Sequence, residues 1–181
     1  MMQELRGSGG FMRLCVFLLT FLCFIQYLIG QVSAAQQNGA SPVTYYVDNR
    51  EGSDSNSGKS AENPWRTLDR VNAIIFQPGD KILFKADTRY QGRLKPQGSG
   101  GMIHGRPNPV IIDMYGDGGK PLIEAGGAHK AALYLYNVEY WEINNLEITN
   151  TGKQPKAGRS GVYVHIKDFD TAHHIQLKNL H

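Results

Sequence analysis

The feature that most constrains this chain is a repeat of short apolar runs. Trp141-Glu-Ile143-Asn-Asn145-Leu146-Glu-Ile148 recurs 34 residues later as Ile175-Gln-Leu177-Lys-Asn179-Leu180. Leu133-Tyr-Leu135 recurs 29 residues later as Val162-Tyr-Val164. The shared core reads apolar-x-apolar-x-Asn-apolar, and the difference in spacing falls in a connecting segment. A period in this range marks an architecture that stacks one unit on the next. The alternation predicts strands in which Trp141 and Ile143 face a core while Tyr140 and Glu142 face out. Asn145 then bends the chain, since Asn tolerates left-handed dihedrals, and Leu146 and Ile148 point inward on the following strand. With Asn179 one strand spacing away, about 4.8 Å, the two amides can form a hydrogen-bonded ladder. A plain turn role fits the same asparagines.

Runs of the same kind fall at residues 82–84, 92–94, 110–112 and 122–123, each closed by Gly, Asn, Asp or Pro. From residue 80 onward the chain therefore reads as all β, a coil of parallel strands. The 21 glycines and 8 prolines serve many turns without the strict period of a collagen. Upstream, residues 43–47 have strand composition and residues 48–58 are dense in turn formers. Asn63-Pro64 reads as a helix cap followed by proline at the first helical position. Trp65, Leu68, Val71 and Ile75 follow at helical spacing and predict one amphipathic helix over residues 63–76, with that stripe buried. Gln77-Pro78-Gly79-Asp80 is a turn sequence.

The N-terminus has a different character. Arg6 and Arg13 outweigh Glu4, residues 14–29 are almost unbroken apolar, and Val32-Ser33-Ala34-Ala35 supplies small residues. This reads as a secretory signal peptide over residues 1–35, with a mobile lead-in over residues 36–42. The apolar stretch falls short of the roughly 20 residues a spanning helix needs, and Gln26 interrupts it. The expected location is secreted or periplasmic, with no membrane contact after cleavage. Cys15 and Cys23, the chain's 2 cysteines, both lie in this segment. The mature chain is thus expected to lack disulfides, thiol chemistry and Cys-based zinc sites. Net charge is +3, from 19 basic and 16 acidic residues without a basic run, so no nucleic-acid partner is expected.

Three stretches carry a family likeness. The first runs from Tyr45-Tyr-Val-Asp48 through Gly52-Ser-Asp54-Ser-Asn56-Ser-Gly58 to Pro64-Trp65-Arg66-Thr67-Leu68. The second is Pro78-Gly79-Asp80-Lys-Ile82 with Tyr90-x-Gly92, and the third runs from Asn108-Pro109-Val110 through Tyr115-Gly116-Asp117-Gly118 to Pro121-Leu-Ile123. With the repeats, residues 43–181 resemble the N-terminal part of right-handed parallel β-helix proteins of the pectate-lyase-like superfamily, in secreted bacterial form. The resemblance implies an all-β, pectin-lyase-like solenoid. An N-terminal strand and one capping α-helix would occupy residues 43–79, and parallel coils residues 80–181. It implies a protein that acts on or binds polysaccharide, the parent being a polysaccharide lyase or glycoside hydrolase. A non-catalytic glycan-binding or surface protein is the alternative, because this superfamily hosts both. The chain stops in mid-repeat at Asn179-Leu180-His181. The expectation is therefore a chain incomplete at its C-terminus, either a fragment or truncated gene product or one whose last coil pairs with something else, and inactive alone.

Calcium is implied by the resemblance only. Asp54-Ser-Asn56-Ser-Gly58 departs from a calcium loop, with Lys59 at the sixth position where Gly belongs and Trp65 at the twelfth where Glu belongs. No other cofactor is expected. Lys153, Lys156 and Arg159 are the candidate catalytic residues, in the loop between repeats. A lyase needs a base and a cation beside a uronate carboxylate, and a lysine can be that base when neighbours lower its pKa. A solvated loop is the plainer reading of the same residues. Tyr134, Tyr136 and Tyr163 alternate with inward apolar residues and should form an outward row. Such a row can stack on sugar rings or serve as ordinary sheet surface. His165, His173, His174 and His181 show no zinc spacing and are expected as solvated positions, so no metal site is expected.

Overall fold

The computed structural model describes residues 41–181. The expected signal segment, and the expected lead-in up to residue 40, lie outside the described residues. Strand β1 (Thr44–Val47) precedes the helix α1 (Leu68–Asn72) and β2 (Ile75–Phe76). Then follow β3 (Lys81–Lys85), β4 (Arg89–Gln91), β5 (Gln97–Gly98), β6 (Gly101–Ile103) and β7 (Arg106–Asn108). Next come β8 (Val110–Tyr115), β9 (Leu122–Glu124), β10 (Ala131–Tyr136) and β11 (Trp141–Asn144). The chain continues with β12 (Glu147–Thr149), β13 (Ser160–His165) and β14 (Ile175–Lys178). The region is mostly β, with one short helix and no closed barrel among the described residues.

The strands form parallel stacks. One sheet runs β1-β3-β8-β11-β14, a second β4-β9-β12, a third β10-β13, and β2 pairs with β5. Each pass of the chain thus adds one strand to each of several stacks. The register agrees with the sequence repeat: Trp141 pairs with Ile175 and Ile143 with Leu177, while Leu133 pairs with Val162 and Leu135 with Val164. The ladder is present as well. Asn179 Nδ2 donates to Asn145 Oδ1 at 2.6 Å and Asn145 Nδ2 donates to Asp113 Oδ1 at 2.7 Å. Both asparagines are left-handed, at φ 52° and 55°. The turn and ladder readings are therefore both true of the same residues.

A single core runs through the stack. Phe84, Ile112, Ile123, Leu133, Leu135, Trp141 and Ile143 are fully covered. The Trp141 indole N–H donates to the Gly98 carbonyl at 3.0 Å, and its ring meets Phe76 edge-on at 5.9 Å. Such a satisfied indole keeps the large apolar gain of burial without an orphaned donor. At the last layer the same inward register is half uncovered: Val164 is 40% and Leu177 43% exposed.

The helix differs from expectation. It covers five residues, with Thr67 and not Asn63 as its cap, and Ile75 leaves it for a strand with 66% exposure. Asp54 explains the shortening. Its carboxylate accepts the backbone N–H groups of Arg66 and Thr67 at 2.9 and 3.0 Å and the Thr67 hydroxyl at 2.6 Å. Burial pushes the Asp54 carboxyl up, yet these bonds outweigh it and hold it below its ordinary range. With those donors taken, the chain before Thr67 stays out of the helix, and Trp65 pairs with Val47 in strand fashion. Trp65, Leu68 and Val71 are buried as expected. The antiparallel hairpin of β6 and β7 was not legible as a strand pair. It closes through His104 and Gly105, both at positive φ, as a tight two-residue hairpin turn requires. Among the described residues, no helix is long and apolar enough to cross a membrane.

Candidate functional site

Strands β10 and β13 carry outward aromatic rings in facing register, Tyr134 opposite Tyr163 and Tyr136 opposite His165. Alternation puts these rings outside because Leu133 and Leu135 take the inward positions. Tyr134 lies 5.8 Å from Tyr136 and 5.6 Å from Tyr163, ring centre to ring centre, with tilts of 42° and 35°. His165 closes the group, 5.4 Å from Tyr136, and its Nδ1 is 3.3 Å from the Tyr134 hydroxyl. The expectation that His165 is merely solvated is corrected here: it is half-buried within the aromatic group.

Cations lie over this face. Lys95 Nζ sits 5.8 Å from the Tyr134 ring centre and 5.6 Å from that of Tyr136. The Arg93 guanidinium is 5.7 Å from Tyr134, and Lys130 Nζ is 3.7 Å from Tyr163. An ammonium over a ring is attracted by the electron-rich face, by about 0.5–2 kcal/mol according to desolvation. Asp168 reaches the other edge, accepting the Tyr136 hydroxyl at 3.2 Å and the Asn137 amide. Partial burial first, and the neighbouring Asp168 carboxylate next, push the Tyr136 phenol up.

Of the expected catalytic residues, two are brought together. Lys156 and Arg159 line a cavity of about 260 Å³ with Gly127, His129 and Lys130. Lys153 is exposed on the same loop and is not among the lining residues. Lys130 borders both the cavity and the Tyr163 ring, so the two features are continuous. Arg93, Lys95, Lys130 and Asp168 were missed by the sequence reading. One signal was available for Lys95: Leu94 sits in an apolar run, and pairing it with Leu133, as observed, sets Lys95 beside Tyr134.

The outward face of the five-stranded sheet is organised otherwise. Glu142 Oε1 lies 2.8 Å from His174 Nε2, and Glu142 Oε2 lies 3.0 Å from Lys178 Nζ. Burial raises the Glu142 carboxyl, but the bonds from His174 and Lys178 outweigh it and hold it below the usual carboxylate range. His174 also stacks on Tyr140 at 6.0 Å. His174 is thus a hydrogen-bond partner of Glu142 and not the solvated position expected. Among the described residues, no three His, Cys, Asp or Glu side chains come together as a metal site would need.

No family model matches the chain. The chain is 32% identical over 137 residues to a lacto-N-biosidase of Bifidobacterium longum subsp. longum, a match that covers 61% of this chain and 8% of that protein. The crystal structure of a GH136 lacto-N-biosidase from Eubacterium ramulus, in selenomethionine form, superposes with a TM-score of 0.65 at 26% identity. It covers 90% of this chain and 30% of that one. The native form of the same enzyme gives a TM-score of 0.58 over 76% of this chain and 26% of that one, again at 26% identity. The chain therefore spans less than a third of the length of each of these relatives.

Proposed function

We infer that this chain is part of a secreted glycan-acting protein of the glycoside hydrolase kind, and that its β10–β13 face holds the carbohydrate. Its fold is a right-handed parallel β-helix, and the segment at residues 1–35 exports it. Three observations support the fold reading: strands stack in parallel from pass to pass, the register follows the repeat, and the solved relative superposes well. Of the two reaction classes implied by the sequence resemblance, the similarity is to hydrolases.

The observation that carries the binding role is the cluster of Tyr134, Tyr136 and Tyr163 with Lys95 and Lys130 over its rings. A sugar ring presents C–H bonds on its faces and hydroxyls at its edges. Aromatic rings accept the first through their electron-rich faces, and charged donors at the rim bind the second. The carboxylate that touches this face, Asp168, is held by Tyr136 and Asn137. Glycoside cleavage takes two carboxyl groups about 5–9.5 Å apart across the bond. The face is accordingly a place to hold the glycan, not to cleave it.

Calorimetric titration of the 181-residue chain with lacto-N-biose tests this reading. Saturable binding is expected, lost on the double substitution Tyr134→Ala and Tyr163→Ala. The chain alone is expected to leave a chromogenic lacto-N-bioside intact. Absence of binding by the unsubstituted chain, or unchanged binding by the double variant, contradicts the assignment.

A further inference from the structure

We propose that the cavity beside the tyrosine face, formed by residues 127–130 and 156–159, is a subsite for the carboxylate of an acidic sugar unit; this rests on the glycan-binding reading above. Its charge is one-sided. His129, Lys130, Lys156 and Arg159 line it, and no carboxylate is among the lining residues. A second hollow of about 310 Å³ adjoins it and shares Lys156 and Arg159.

The Arg159 side chain is positioned by construction. Gly127 is left-handed at φ 73°, and a Cβ there would stand 2.8 Å from Arg159 Nη1 and 2.5 Å from the Gly152 Cα. A Cβ on Gly152 would collide with the same Arg159 nitrogen. Two glycines thus make the floor on which the guanidinium lies. Asn150, itself buried, fixes that floor. It accepts the Gly127 N–H at 3.0 Å and donates to the carbonyls of His129 at 2.8 Å and Ser160 at 3.1 Å. The turn before β10 and the start of β13 are thereby joined through one amide.

The guanidinium is only partly used. Nη1 donates to the Gln154 carbonyl at 2.7 Å, while Nε is covered from solvent and has no hydrogen-bond partner. A guanidinium matches a carboxylate with two parallel N–H bonds, a geometry that an ammonium lacks. Lys130 Nζ, 3.7 Å from the Tyr163 ring centre, connects this charge to the aromatic face. One sugar ring on Tyr163 would set its neighbour's acid group over the cavity.

The test titrates the 181-residue chain with three disaccharides: neutral lacto-N-biose, the unsulfated chondroitin disaccharide with its single uronate carboxylate, and the sulfated form of the latter. The carboxylate-bearing sugar is expected to bind about tenfold tighter than the neutral one at about 50 mM salt, with most of that advantage lost at about 300 mM. Lys156→Gln, at an exposed position, should reduce the advantage about threefold. Arg159→Lys keeps the charge but loses the paired donors, and should remove most of the advantage while neutral binding persists. Circular dichroism confirms that each variant is folded. Equal affinity for neutral and acidic sugars overturns the subsite and leaves the glycan reading standing. A gain confined to the sulfated sugar overturns the carboxylate assignment. Failure of all three sugars to bind removes the glycan reading and the subsite with it.

Discussion

Two outward faces of this molecule are built from the same strand alternation and spend their polar groups differently. On the five-stranded sheet, Glu142 is satisfied by His174 and Lys178, and Asp113, Asn145 and Asn179 are linked amide to carboxylate. Lys120 Nζ ends that ladder at 3.0 Å from Asn179 Oδ1. On the β10–β13 sheet, tyrosines meet cations over their rings, and the adjoining cavity gathers basic groups without a lining carboxylate. The first face holds its own layers together. The second holds its cations by the ammonium–ring attraction alone, a weaker tie than the carboxylate pairs of the first. A surface whose charges are already paired gains little from a ligand, since binding would first have to break those pairs.

The sharpest break of the comparison comes from the core that both faces share. Trp141→Ala removes a fully covered indole under the paired face whose N–H reaches Gly98. It should cost about 3–5 kcal/mol in a denaturant titration, and both faces should fail together in one transition. A loss under about 1 kcal/mol would place Trp141 outside the core.

A smaller effect separates turn from ladder. Asn145→Ala loses two side-chain bonds and keeps a left-handed backbone, and should cost about 2 kcal/mol. Asn145→Gly keeps the turn and loses only the ladder, so it should recover about half of that. Equal losses in the two variants would mean that the ladder alone matters.

The smallest effect concerns Glu142. Its carboxyl titrates below its ordinary range in the folded chain. The stabilisation is therefore present above the unfolded pKa and is lost as pH falls through the folded one. For a pair at the surface, Glu142→Gln should cost under about 1 kcal/mol, and the difference from the unsubstituted chain should vanish in acid. A variant gap that widens on acidification would reverse the sign and exclude the pair as its source.

The layered strands were legible because each repeat is local: apolar residues two apart, then Asn, then another apolar pair. Aligning Trp141 with Ile175 and Leu133 with Val162 was enough to give the observed register. The helix limits were not legible, because the carboxylate that takes the backbone donors just before the helix, Asp54, comes from 12 and 13 residues upstream. No propensity at Asn63 or Pro64 reports that contact. The tyrosines could be placed outward from alternation, whereas their cations come from other passes of the chain. Lys95 meets Tyr134 only through the pairing of Leu94 with Leu133, and Lys130 meets Tyr163 only because β13 lies beside β10. The glycine floor under Arg159 was equally hidden, since Gly127 and Gly152 stand in different loops.

The central claim is that the unspent face, and not the paired one, holds glycan. A side-by-side titration of Tyr163→Ala and Glu142→Gln with lacto-N-biose tests it most directly. Tyr163→Ala should weaken binding about tenfold or more, as loss of a central aromatic anchor does, while Glu142→Gln should match the unsubstituted chain. Equal affinities in the two variants, or a loss confined to Glu142→Gln, would contradict the account.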